Sequence, residues 1–143
     1  MTIPIWVLLG FAGWTLLVLL LAVGGYRWRL IFTGTAAINA FEPGSARGAD
    51  WYERAQRAHA NCLENLPVYT ALVVTLVATG AQHPAYDALA LALLPARIAQ
   101  TVTHIGWRQT SRAVAVRFTL FSVQFVCMVA IGCLMALGVG ART

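Results

Sequence analysis

The sequence predicts an all-α membrane protein, a four-transmembrane-helix bundle forming one domain over residues 1–143. Three observations carry this. Hydrophobic residues make up 59% of the chain and charged residues only 10%, against about 25% charged in a soluble domain. Four long, mainly apolar stretches suit a hydrocarbon layer of about 30 Å at about 1.5 Å per helical residue. The segments between them carry turn residues, helix caps and four of the ten arginines.

The first helix is expected over residues 3–23. That stretch has no ionisable residue, and Pro4 suits a helix start. It is too long for the apolar region of a signal peptide and no basic segment precedes it, so it reads as a retained span. Trp6 and Trp28 lie near its two ends, as interface aromatics do. A loop over residues 24–50 follows, with Arg27, Arg29 and Arg47 and a turn-prone Glu42-Pro43-Gly44-Ser45. Asp50 reads as an N-cap with Glu53 completing a capping box.

The second helix is expected over residues 51–79. Its continuously apolar part begins only at Leu66, so the polar first turns must belong to the span. Pro67 predicts a kink and a freed carbonyl near position 63. The third helix, over residues 84–105, is interrupted by Pro95. A polar loop over 106–111 leads to the fourth helix, 112–137, with Ser111 as its cap. Gly132, Ala136 and Gly140, four apart, form a small-residue stripe that permits close helix packing. Arg117 and Gln124 share another face of this helix, read as a helix–helix contact or a subunit interface.

Four spans put both termini on one side. Loops 24–50 and 106–111 hold four of the ten arginines and the 80–86 turn holds none, so the positive-inside rule places those loops in the cytoplasm and the termini opposite. Arg142 is a small vote against this orientation. The net charge of +5 comes from ten arginines and no lysine. A nucleic-acid binder can be basic but needs far more polar surface, so no nucleic-acid partner is expected. Cys62, Cys127 and Cys133 lie in apolar segments without metal-ligand spacing and read as reduced buried thiols; no metal is expected.

The unusual stretch is Arg54 to Pro67. At about 100° per residue, Arg54, Arg57, Asn61, Glu64 and Asn65 fall on one face of a membrane helix, which must look into protein or water. Arg97, Gln100, Thr101 and His104 share a face of the third helix. Glu64 lies about 22 Å from the Thr79 end of its helix, and Arg97 about 16 Å from Tyr86. Each charge alone costs at least ~2.5 kcal/mol in the bilayer, so Glu64 and Arg97 are expected to form a structural ion pair. Arg54, Arg57, Asn61, Gln100, His104 and Arg112 gather near the cytoplasmic ends as a cationic pocket suited to an anionic ligand. His59 and His104 do not converge as haem ligands would. No nucleophile–base relay or nucleotide-binding loop is present. Arg112, beside the positive end of a helix dipole, is the best candidate for a chemical role, because it can stabilise a thiolate.

These residues resemble a known family, the membrane-associated proteins in eicosanoid and glutathione metabolism. Its second-helix signature, an arginine followed by Ala-x-x-Asn-x-x-Glu-x-x-Pro, stands here as Arg57-Ala-His-Ala-Asn61-Cys-Leu-Glu64-Asn-Leu-Pro67. Arg97, Arg112, the Arg27-x-Arg29 pair and the four-span layout extend the similarity over the chain. The resemblance implies a homotrimer that binds glutathione as co-substrate between subunits near the cytoplasmic face. It implies contacts from Arg27 or Arg29, Arg57, Asn61 and Glu64, and Arg112 as the catalytic arginine holding the thiolate. His59, within the motif, and Gln100 and His104, on the facing helix, are counted with the glutathione-binding residues. Catalytic members usually carry aromatic or histidine side chains at the place of Gln100 and tyrosine at that of His104.

The implied activity is a glutathione transferase or peroxidase acting on a lipophilic small molecule that arrives from the membrane lipids. The alternative is a non-catalytic lipid- or ligand-binding protein of the same fold.

Overall fold

The structure, a computed structural model, describes residues 1–40 and 49–140. The turn proposed at Glu42 to Ser45, and Arg47 and Arg142, lie outside the described residues. Four helices are long and apolar enough to cross a membrane: α1 (Ile3–Phe32), α2 (Asp50–Thr79), α3 (Pro84–Gly106) and α4 (Ser111–Ala136). The described residues contain no strand. Leu20, Leu21, Val77, Leu91, Phe118 and Val126 are exposed on the outside of the bundle. Apolar residues in such numbers face lipid, where they need no protein partner.

α1 begins at Ile3, with Pro4, whose fixed φ suits a first turn, as its second residue. It winds as a wide π-turn over Leu19–Gly24 and continues as regular helix over Gly25–Phe32. The helix therefore does not stop at residue 23, and the region expected as loop from residue 24 is helical to Phe32. The reason is tertiary. The Tyr26 ring stacks on Tyr52 with centroids 4.4 Å apart and meets Trp51 edge-on at 5.2 Å. The Tyr26 hydroxyl also accepts from the Ala49 backbone N–H at 3.2 Å. These contacts hold Gly24 and Gly25 in helical geometry that their own propensity disfavours.

α2 is capped by extended Ala49, not by Asp50. Asp50 and Glu53 lie inside the first turn, where their charges complement the helix dipole. The helix runs on through Pro67 and ends at Gly80, whose φ of 64° gives the left-handed C-terminal turn. At the start of α3, His83 Nδ1 accepts from the Ala85 N–H at 3.2 Å. The α4 cap is Thr110, one residue before the expected Ser111; its hydroxyl accepts from the Ala113 N–H at 3.2 Å.

The core runs down the middle of the bundle through Phe11, Tyr69, Ala90, Leu93 and Ile131, all fully buried. The Tyr69 hydroxyl donates to the Pro4 carbonyl at 3.2 Å, tying α2 to the start of α1. Within the expected small-residue stripe, Gly132 faces Leu72 of α2. Gly140 lies beyond α4, at a φ of 72°. It packs on the α2–α3 turn: Gln82 N–H donates to its carbonyl at 3.0 Å, and the Tyr86 hydroxyl donates to the Val139 carbonyl at 2.8 Å. A cleft of about 490 Å³ opens at this end of the bundle, lined among others by Met1, Ile5, Gln82, His83 and Asp87.

Candidate functional site

The opposite end of the bundle gathers the arginines. The first turns of α2, the last turns of α3, the loop over residues 107–110 and the first turn of α4 meet there. A polar cleft of about 360 Å³ is lined by Asp50, Glu53, Arg54, Arg57, Arg108 and Gln109. Three of these side chains are cationic and two anionic, so an anion entering the cleft meets guanidinium groups already partly neutralised. Arg57 is exposed and reaches the Glu53 carboxylate at 3.6 Å, an i,i+4 pair along the helix.

Along α2, Arg57 and Glu64 are exposed and Asn61 is half-buried. Spacings of four and three residues put them on one face. That face is left uncovered by the other helices of the chain, inside a segment long and apolar enough to span a bilayer. Arg27 sits where α1 approaches α2: its Nε donates to the Tyr52 hydroxyl at 2.6 Å, and its guanidinium lies 6.0 Å from the Tyr52 ring centre. Arg29 and Arg112 are exposed, Arg112 in the first turn of α4.

Glu64 and Arg97 form no ion pair within one chain. Arg97 is 1% exposed and points into the bundle, its guanidinium 5.2 Å from the ring centre of Phe11. Among the described residues its Nε and Nη2 have no hydrogen-bond partner. Glu64 stays on the outer face of α2, and among the described residues the ion pair that does form is Arg57–Glu53.

The facing-helix residues separate as well. Gln100 is buried and turned toward α4, not toward Arg57 and Asn61. Its Oε1 accepts from Gln124 Nε2 at 3.0 Å, and its own Nε2 donates to the Arg117 carbonyl at 3.4 Å. A buried amide satisfied on this side is held by the α3–α4 contact and is withdrawn from the cleft. His104 is half-buried, within electrostatic reach of Arg117, Arg97 and Arg57. His59 is half-buried against Thr15 of α1, away from the Arg57–Asn61–Glu64 face.

Arg117 and Gln124 make a helix–helix contact inside the chain. Arg117 Nη2 donates to the carbonyls of Thr103 at 3.1 Å and Trp107 at 2.8 Å. Arg54 approaches the same end of α3 from α2 and donates from Nε to the Ile105 carbonyl at 3.2 Å. Sequence reasoning did not single out Arg108 and Gln109 as cleft residues. Their only signal is their place in a short polar loop between two helices whose polar faces both point to this end. Among the described residues no group of three or more His, Cys, Asp or Glu side chains converges as metal ligands would.

The model of the MAPEG family matches residues 4–137 of the chain. No curated protein and no solved structure matches it.

Proposed function

The chain belongs to the MAPEG family, multi-pass membrane proteins of glutathione and eicosanoid metabolism, and from that premise we propose that it binds glutathione and activates its thiol toward lipophilic electrophiles. The observation that supports this most is the uncovered face of α2. Arg57, Asn61 and Glu64 present a cation, an amide and a carboxylate outward from a membrane-spanning helix. Bilayer lipid cannot solvate these groups. In the proposed homotrimer a neighbouring subunit covers this face, and glutathione lies between the two.

The ligand matches the site in charge. Its carboxylates find Arg57 and Arg108 at the polar cleft, and its amino group finds Glu64. Arg27 and Arg29 approach from the end of α1. Arg112, in the first turn of α4, adds its charge to the positive end of the helix dipole and stabilises the thiolate. The thiol proton passes to water in the polar cleft, the thiolate forms a carbon–sulfur bond with an electrophile from the lipid, and the electrophile's leaving group departs with the bonding electrons; the barrier falls through proximity and charge stabilisation. The arginine-bearing loops face the cytoplasm in this reading.

A second reading has its own support. Gln100 is engaged with Gln124 and is not free to meet a ligand in the cleft, which favours a non-catalytic member that binds a lipid or other ligand. One experiment separates the two. Glutathione is added to the purified protein, binding is measured by equilibrium dialysis, and thiolate is followed by ultraviolet difference absorbance. Binding with thiolate formation supports the catalytic reading. Binding without thiolate supports the second, and no binding removes glutathione from both.

A further inference from the structure

The last carbonyls of a helix have no partner within it and carry its negative end. At the end of α3 these groups are held by arginines from both neighbouring helices. Arg54 of α2 takes the Ile105 carbonyl. Arg117 of α4 takes Thr103 and, one residue past the helix, Trp107. Arg117 is 7% exposed, so it is committed to this contact and not to solvent. The two guanidinium groups lie within electrostatic reach of each other. Like charges at that range repel, and the negative helix end between them is what offsets the repulsion.

Trp107 is also the first residue of the short loop that ends at the Thr110 cap, two residues before Arg112. The Trp107 carbonyl is therefore a joint between the end of α3 and the start of α4, and Arg117 reaches back five residues along its own helix to close it. Gln124, seven residues further along α4 than Arg117, holds the same two helices together through Gln100, and its hydrogen bonds go to Gln100 and Leu120, not to the loop.

We propose that Arg117, with Arg54, is a positioning residue: by gripping the carbonyl end of α3 it fixes the 107–110 loop and thereby the placement of Arg112 toward the thiol of a bound glutathione. This rests on the thiolate role given to Arg112. Arg117 itself touches neither substrate nor thiol. Its removal leaves glutathione bound through α2 but misplaces the charge that ionises it.

The test uses the full-length protein in lipid nanodiscs and reads glutathione binding and thiolate absorbance separately. In Arg117→Met the thiolate fraction at a fixed pH below the thiol midpoint falls about tenfold, while the dissociation constant for total glutathione stays within about twofold. Arg117→Lys, which keeps charge and donors, recovers part of the thiolate. Gln124→Leu, on the same helix pair but away from the loop, leaves it unchanged.

An unaltered thiolate titration in Arg117→Met overturns the proposal, as does an equal loss in Gln124→Leu, which would mean that any slackening of the α3–α4 contact suffices. If Arg117→Met does not fold, Arg54→Met acts on the same helix end; a titration like that of the unmodified protein there overturns the proposal. Absence of thiolate in the unmodified protein removes the proposed function and this inference together. Thiolate in the unmodified protein with no response in the variants removes only the inference.

Discussion

Arg27 Nε donates to the Tyr52 hydroxyl across 2.6 Å and so joins the far end of α1 to the first turn of α2. The two residues are 25 positions apart. Around them Tyr26 stacks on Tyr52 and meets Trp51 edge-on. The pairing gives Arg27 a fixed direction, which a cation at the end of a frayed helix would lack. Tyr52→Phe keeps the ring packing and removes the acceptor. The expected cost is about 1–2 kcal/mol, at the lower end for a hydrogen bond to a charged group because the Arg27 side of the contact is partly exposed. Denaturant titration of the reconstituted protein measures it, and a change under about 0.3 kcal/mol would show that the ring stacking alone holds α1 to α2.

Arg57 separates binding from stability. Its pair with Glu53 is exposed and runs along one helix, a geometry worth about 0.3–0.5 kcal/mol. Arg57→Ala should therefore leave the unfolding midpoint nearly unchanged and weaken glutathione binding about tenfold, the loss of one charge-assisted contact. Isothermal titration calorimetry gives the affinity. A variant that binds as the unmodified protein does would take Arg57 out of the site.

The Gln100–Gln124 pair is a buried polar contact between α3 and α4. Changing either glutamine alone to leucine leaves the other amide one buried hydrogen bond short and should cost about 1–2 kcal/mol. Changing both should cost less than the sum of the single changes, because no orphaned group remains. A double-mutant cycle on unfolding free energy reads the coupling; strict additivity would mean that the two amides do not depend on each other.

Arg97 presents the reverse case. It is buried over Phe11 with two of its nitrogens unpartnered among the described residues, and Glu64 lies within electrostatic reach but not at ion-pair distance. An unpaired buried charge is destabilising, so Arg97→Met, of similar length, should fold at least as stably as the unmodified chain. Thermal unfolding of the reconstituted protein checks this. A loss above about 3 kcal/mol would show that Arg97 is neutralised by something a single chain does not contain.

Much of this architecture was legible from residue order alone, for reasons specific to membranes. Lipid forces each span to satisfy its own backbone, so hydropathy and length announce the four long helices directly. The spacing of Arg57, Asn61 and Glu64 announces one helical face in the same way. What stayed hidden depended on partners far away in sequence. Gly24 and Gly25 read as a helix stop, and only the Tyr26–Tyr52 stack overrides them. Gln100 shares a face with Arg97 and His104 by helical arithmetic, yet its hydrogen bonds go to α4. Arg117 and Gln124 read as a helix–helix contact or a subunit interface, but their partners on α3 depend on the rotation of the two helices about their axes. Depth alone matches Glu64 with Arg97, and depth says nothing about the direction in which a guanidinium points.

The hydrogen bond from Gln82 N–H to the Gly140 carbonyl pins the segment after α4 to the α2–α3 turn. Met1 lines the cleft at that same end, beside Gln82 and His83. Three parts of the chain therefore share one address relative to the bilayer. A cysteine-reactive, membrane-impermeant label placed at position 82, at the start of α1 or just past Gly140 must report the same compartment. Any one of them is enough to orient the whole bundle, and disagreement between two would reveal a mixed population of insertions.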